Sequence, residues 1–106
     1  MSYTVEMTPT ADTELRQSFM YIHGRSPRNA VRWLRGIHKA IDALEDFPNR
    51  CGIAPESEHL GETLRHYVFK SHRIIFFVDE AKQVVRILRI RHGKMRSIGE
   101  PEGDEE

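Results

Sequence analysis

Arg86, Arg89 and Arg91 are interleaved with Ile87, Leu88 and Ile90 near the end of the chain, and the run closes on His92, Gly93 and Lys94. A core strand keeps charge off its inner face, because a buried cation without a partner costs more than its packing returns. Guanidinium groups repeated along one strand suit planar anions, phosphate or carboxylate, which they meet with paired N–H donors. Recognition of an acidic partner is therefore the chemistry expected here. Arg65 and Arg73 stand in neighbouring apolar runs, and His92 adds a side chain that titrates near neutral pH.

Other constellations fail on spacing. The six histidines have no zinc-ligand pattern, no glycine-rich phosphate loop follows a strand, and Cys51 is alone, so no intramolecular disulfide is possible. Neither a cofactor nor a metal is expected. The formal charge is zero over 106 residues, yet five of the sixteen acids lie in 100–106; eleven acids then face sixteen bases, and residues 1–99 carry about +5. We expect one domain over 1–99 and an acidic tail over 100–106 that either folds back on the arginines or remains a solvated end. The opening MSYTVEMTPTAD has no secretory pattern, and no run reaches membrane-spanning length, so a cytoplasmic protein without a membrane partner is expected.

The elements that must hold these side chains are legible from periodicity. Tyr3, Val5 and Met7 alternate as in a strand. Thr8-Pro9 opens a helix in which Ala11, Leu15, Phe19 and Ile22 recur at helical spacing, with Gly24 as the expected stop. Ser26-Pro27 opens a second helix, with Ala30, Leu34, Ile37, Ile41 and Leu44 on one stripe and Phe47-Pro48 at its end. Arg28, Arg32, Arg35 and Lys39 step along the opposite face, while Trp33 lies off the main seam, either packed or awaiting a partner. Residues 48–63 read as a long crossing loop. Three strand runs follow, Leu64–Phe69, His72–Val78 and Val84–Arg91; the middle one is apolar at both parities and is expected at the centre of the sheet. The order is β-α-α-β-β-β, an α+β fold with a small, mostly antiparallel sheet and a two-helix hairpin on one face.

This order, with the Ser26-Pro27 helix start, Phe47-Pro48, the strand S-H-R-I-I-F-F-V and the terminus R-I-L-R-I-R-H-G-K-M, resembles the RelE/ParE superfamily of type II toxin–antitoxin modules, over roughly Tyr3 to Met95. The resemblance implies one of two activities, and the fold alone does not choose between them. A RelE-like toxin is a metal-independent endoribonuclease that cleaves messenger RNA on the ribosome; Arg65 and Arg73 would then steady the phosphorane and His92 would serve as a catalytic group. The base is missing from that set, since Ser71 stands near where some members place a glutamate, and His66 or His72 would have to replace it. A ParE-like toxin binds DNA gyrase without catalysis, and this branch matches more closely. It implies a target-binding surface of Arg89, Arg91, His92, Lys94, Met95 and Arg96. The implied partner is a ParD-like antitoxin, whose acidic segment would lay apolar anchors between helices and sheet, near Leu15, Phe19, Trp33 and Ile37.

Overall fold

The computed structural model describes residues 2–60 and 62–93. Along the chain run β1 (Thr4–Met7), α1 (Pro9–Arg25), α2 (Pro27–Ala43), a 3-10 turn (Pro48–Arg50), β2 (Gly52–Ile53), α3 (Glu56–Leu60), β3 (Arg65–Phe69), β4 (His72–Asp79) and β5 (Val84–His92). The fold is α+β, with the expected strands and helical hairpin in the expected order.

Helix starts follow the sequence signals directly. The Thr8 hydroxyl accepts from the Ala11 amide at 3.1 Å, and Pro9 occupies the first turn, where a missing N–H costs nothing. Ser26 then serves two helices. Its N–H donates to the Ile22 carbonyl at 2.8 Å, closing α1, and its hydroxyl accepts from the Asn29 amide at 3.2 Å, opening α2. The expected stop at Gly24 is thus one residue early. Pro27 disfavours helical backbone in the residue before it, and Ser26 is extended at φ −158°. The hairpin connection shrinks to that single residue. At its other end α2 stops at Ala43, short of Phe47-Pro48, with Leu44 as its cap.

The sheet has five strands in the order β1-β5-β4-β3-β2. Only β1–β5 is parallel, with Thr4 opposite Val84 and Met7 opposite Ile87; the remaining pairs are antiparallel. β4 is central, as its two-sided apolar pattern predicts, and Ile74, Ile75 and Phe76 are fully buried. On one face Ile74, Phe76, Val85, Ile87 and Ile90 pack against Ala11, Leu15, Trp33, Ile37, Ala40, Ile41 and Leu44 of the helical layer. On the other, Ile75 packs against Ala54 and Leu64, with Phe77 and Leu88 alongside.

The register shifts between Ile75 and Phe76, which face Arg89 and Ile87 respectively, so Leu88 is the extra residue of a bulge. Under strict alternation Ile87 and Ile90 would lie on opposite faces; the bulge puts both in the helical core and leaves Leu88 for the far side. The segment 48–63, read as a loop, is the main correction. It carries the 3-10 turn, β2 and α3, and β2 adds a fifth strand by pairing Gly52 with His66 and Ile53 with Arg65. Two paired residues and a five-residue helix are too short to show a period.

Gly36 marks where α2 presses on the sheet: a Cβ there would lie 2.5 Å from the Phe69 ring. Alanine normally favours a helix over glycine by about 1 kcal/mol. Here we expect Gly36→Ala to be destabilising by about 1–2 kcal/mol, because Phe69 must leave its rotamer; urea denaturation checks the sign.

Candidate functional site

Among the described residues, the C-terminal end of β5 has no strand neighbour on the β1 side. β1 pairing ends at Met7, after which the Thr8 amide donates to the Ile87 carbonyl at 3.0 Å and its hydroxyl to the Leu88 carbonyl at 3.1 Å. Beyond that point Glu14 of α1 takes over the edge. One carboxylate oxygen accepts the Ile90 amide at 2.8 Å, while the other accepts Arg89 Nε at 2.9 Å and Nη2 at 2.6 Å. Helix, edge backbone and arginine are tied by one side chain.

This geometry corrects the arginine ladder. Arg89 turns back to α1 and is not a projecting cation. Arg86 faces Glu6 across the parallel pair, 3.5 Å away, in a half-exposed contact of small energetic weight. Arg73 meets the fully buried Glu56 through two parallel bonds, Nη1 at 2.8 Å and Nη2 at 2.7 Å, while its Nε donates to His66 Nδ1 at 3.1 Å. Arg65 donates to the Cys51 carbonyl at 2.7 Å. Arg91 lies opposite Arg73; burial, and then the neighbouring Arg89 charge, push its guanidinium pKa down. Burial first, with the Arg73 charge second, likewise lowers His66. Neither Glu14 nor Glu56 carries a local signal of this role: an acid early in a helix suits the helix dipole alone, and Glu56 falls in the apparent loop. Lys94, Met95 and Arg96 lie outside the described residues.

A cleft of about 670 Å³ opens between the helical hairpin and the ends of β4 and β5. His72 and His92 face each other across these strands with ring centroids 5.2 Å apart, edge to face, and Trp33 leans on His72 at 5.1 Å. Tyr21 and Ile22 line the α1 side, and the Lys70–Ser71 turn forms the lip. Lys70 adopts φ +54°, a left-handed backbone that lets the two-residue turn close. The Gly93 amide donates to the Ser71 carbonyl at 2.6 Å and fixes the end of β5 against this lip. His72 is buried, and that burial, followed by the His92 charge, lowers its pKa from the ordinary imidazole value. Trp33 Nε1 and His72 Nδ1 are buried without a hydrogen-bond partner among the described residues.

Of the four residues expected to face an antitoxin, three do not line this cleft. Leu15 and Ile37 are 5% and 0% exposed and belong to the core, because the centre of a helical apolar stripe packs on the sheet. Phe19 is half-buried at the margin of that core, and Trp33 lines the cleft. The structure therefore brings His92, His72 and Trp33 together, but places Arg73 in a separate cluster with Glu56 and His66, and Arg65 apart from both against the Cys51 carbonyl. Among the described residues no group of three or more histidine, cysteine, aspartate or glutamate side chains is arranged to hold a metal ion. Among those same residues no helix is long and apolar enough to cross a membrane.

Glu56→Ala strands a nearly buried guanidinium and is expected to cost about 3–5 kcal/mol. Glu14→Ala, whose pair is more exposed, should cost about 1.5–3 kcal/mol; urea denaturation of both variants checks the order. The pH dependence has a defined sign. His72 and His66 bind a proton less readily folded than unfolded, so their stabilising contribution is complete above about pH 6.5 and declines as pH falls through that value toward the folded pKa values. The midpoint of thermal unfolding should drop between about pH 7 and 5, and His72→Phe should flatten that slope.

Residues 5–97 match the family model described as ParE toxin of type II toxin–antitoxin system, parDE. Among solved structures, the chain is similar to one from the chromosomal ParDE system of P. aeruginosa, with a TM-score of 0.70 and 20% identity over 86% of this chain and 96% of that one. A chain of the RelBE2 toxin–antitoxin complex of Mycobacterium tuberculosis superposes with a TM-score of 0.59 at 24% identity, covering 87% of this chain and 92% of the other. A chain of the archaeal RelE–RelB complex from Pyrococcus horikoshii gives 0.58 at 19% identity, over 88% and 97%. A search of curated proteins gives no match. At these identities the superpositions speak for the fold, while the family model spans nearly every described residue: the chain belongs to the ParE toxin family of type II toxin–antitoxin systems.

Proposed function

We propose that this toxin inhibits DNA gyrase by binding it, and that a ParD-like antitoxin neutralises the toxin. The observation that carries this choice is the Arg73 cluster. Phosphorane stabilisation needs guanidinium donors directed at the substrate, whereas Arg73 spends Nη1 and Nη2 on Glu56 and Nε on His66. Arg65 is bonded to backbone, and Ser71, at the position where a base would help, is a turn residue whose carbonyl holds Gly93. That geometry supports action by occupancy. The target surface is then the end of β5, Arg91 and His92, continuing into Lys94, Met95 and Arg96.

The antitoxin reading rests on the cleft. Trp33, Ile22 and the 66%-exposed Tyr21 offer apolar and aromatic surface, and Lys70 at the lip suits an acidic segment. β2 covers β3 only at Arg65 and His66, so the β3 edge from Tyr67 onward has no strand neighbour among the described residues and can receive an extended peptide.

Purified toxin is expected to stop gyrase supercoiling in the absence of ribosomes, with charge reversal at Arg91 and Lys94 weakening inhibition about tenfold or more. Full supercoiling at toxin excess, together with cleavage of ribosome-bound messenger RNA, would overturn the proposal in favour of the ribonuclease.

A further inference from the structure

Among the described residues, a continuous row of cations without an ion pair lies on α2. Arg73, Arg86 and Arg89 each have a carboxylate within 4.0 Å. Arg28, Arg32, Arg35 and Lys39 are all exposed, and none forms an ion pair among the described residues. At about 100° per residue these four positions fall within an arc of about 60°, opposite Ile37 and Ala40, and span about 16 Å of helix axis. Between Leu15 and Ile41 the sequence contains no acid at all, against six bases. A merely solvated helix face interleaves opposite charges at i and i+4, which stabilises it; this one forgoes that support over its whole length.

The ends of α2 reinforce the point. Its first turn carries Arg28 and no acid, and its last turn carries Asp42 and no base. Both placements oppose the helix dipole, which favours anions at the N-terminus and cations at the C-terminus. Local rules broken without local compensation mark surfaces kept for something other than stability.

We propose that the outer face of α2 binds the phosphodiester backbone of duplex DNA, independently of sequence. Three of the four cations are arginines, whose planar fork matches phosphate oxygens. One cation per helical turn along a straight line needs a rigid, repeating polyanion, which duplex DNA supplies. An acidic peptide that folds on binding needs apolar pockets, and those lie around Trp33 on the other side of the helix. Single-stranded nucleic acid is held by aromatic stacking, and α2 offers no phenylalanine or tyrosine and only the buried Trp33 as a large stacking ring. Lys70 extends the surface toward the β3–β4 turn, since it lines one shallow depression with Arg32 and Asn29. This activity does not require gyrase to be the target.

Anisotropy of a short labelled duplex of arbitrary sequence, titrated with the full-length chain, tests the proposal. Four phosphate contacts give a slope of log K against log salt of about −3.6, or roughly a hundredfold loss between about 50 and 200 mM. The variant carrying Arg28→Gln, Arg32→Gln, Arg35→Gln and Lys39→Gln should lose the binding while keeping its circular dichroism spectrum; Arg35→Gln alone should flatten the slope by about 0.9. Arg86→Gln, at a paired position, should change neither. No binding of the parent chain at low salt, an unchanged slope in the folded quadruple or the single variant, or tighter binding of single-stranded RNA or polyglutamate would each overturn it.

Discussion

Glu14 is the side chain on which this architecture turns. Four-residue β1 covers only part of nine-residue β5, which leaves the end of the longer strand without a strand neighbour among the described residues, and an edge of that kind invites pairing with another chain. Here α1 answers the problem with a carboxylate that takes the Ile90 amide and the Arg89 guanidinium together. The bulge at Leu88 makes the arrangement possible by returning Ile90 to the helical core beside it. Packing of α1 on β5, the ending of β1 pairing and the orientation of Arg89 are thus one event. Glu56 plays the corresponding part on the other face, where its buried carboxylate meets Arg73.

Much of this was readable beforehand, and the reasons differ by element. β4 reads as central because apolar residues at both parities require two covers, and both covers exist. Ser26-Pro27 and Thr8-Pro9 read as helix starts because capping is a local interaction, complete within three residues. β2 and α3 were hidden for the opposite reason: two residues pairing with a strand a dozen positions later carry no period, and composition there looks like a loop. The site suffered from the same blindness to distance. A row of arginines looks like an anion-binding surface until the carboxylates that neutralise it are located, and these come from α1 and from the segment before β3.

The paired and unpaired cations divide the molecule's surface in function. On the sheet, arginines serve as internal fasteners between strands, helix and crossing segment. On α2 they face outward and form no ion pair among the described residues, and around the cleft the aromatic trio of Trp33, His72 and His92 supplies a surface whose charged neighbours are Lys70 at its lip and the Arg89-paired Glu14. The cleft and the α2 cations thus occupy different faces of one helix that meet at Trp33 and Lys70, which line both the cleft and the depression beside Arg32.

The parallel pairing of β1 with β5 also bears on biosynthesis. Thr4 finds its neighbour at Val84 and Met7 at Ile87, so β1 must wait for β5. Contacts at such separation slow folding, and during translation β1 and the underside of the helical hairpin wait for their partner until β5 has left the exit tunnel. A nascent chain that has not reached Val84 lacks the strand that both β1 and β4 pair with, so this sheet is assembled only once β5 has been made.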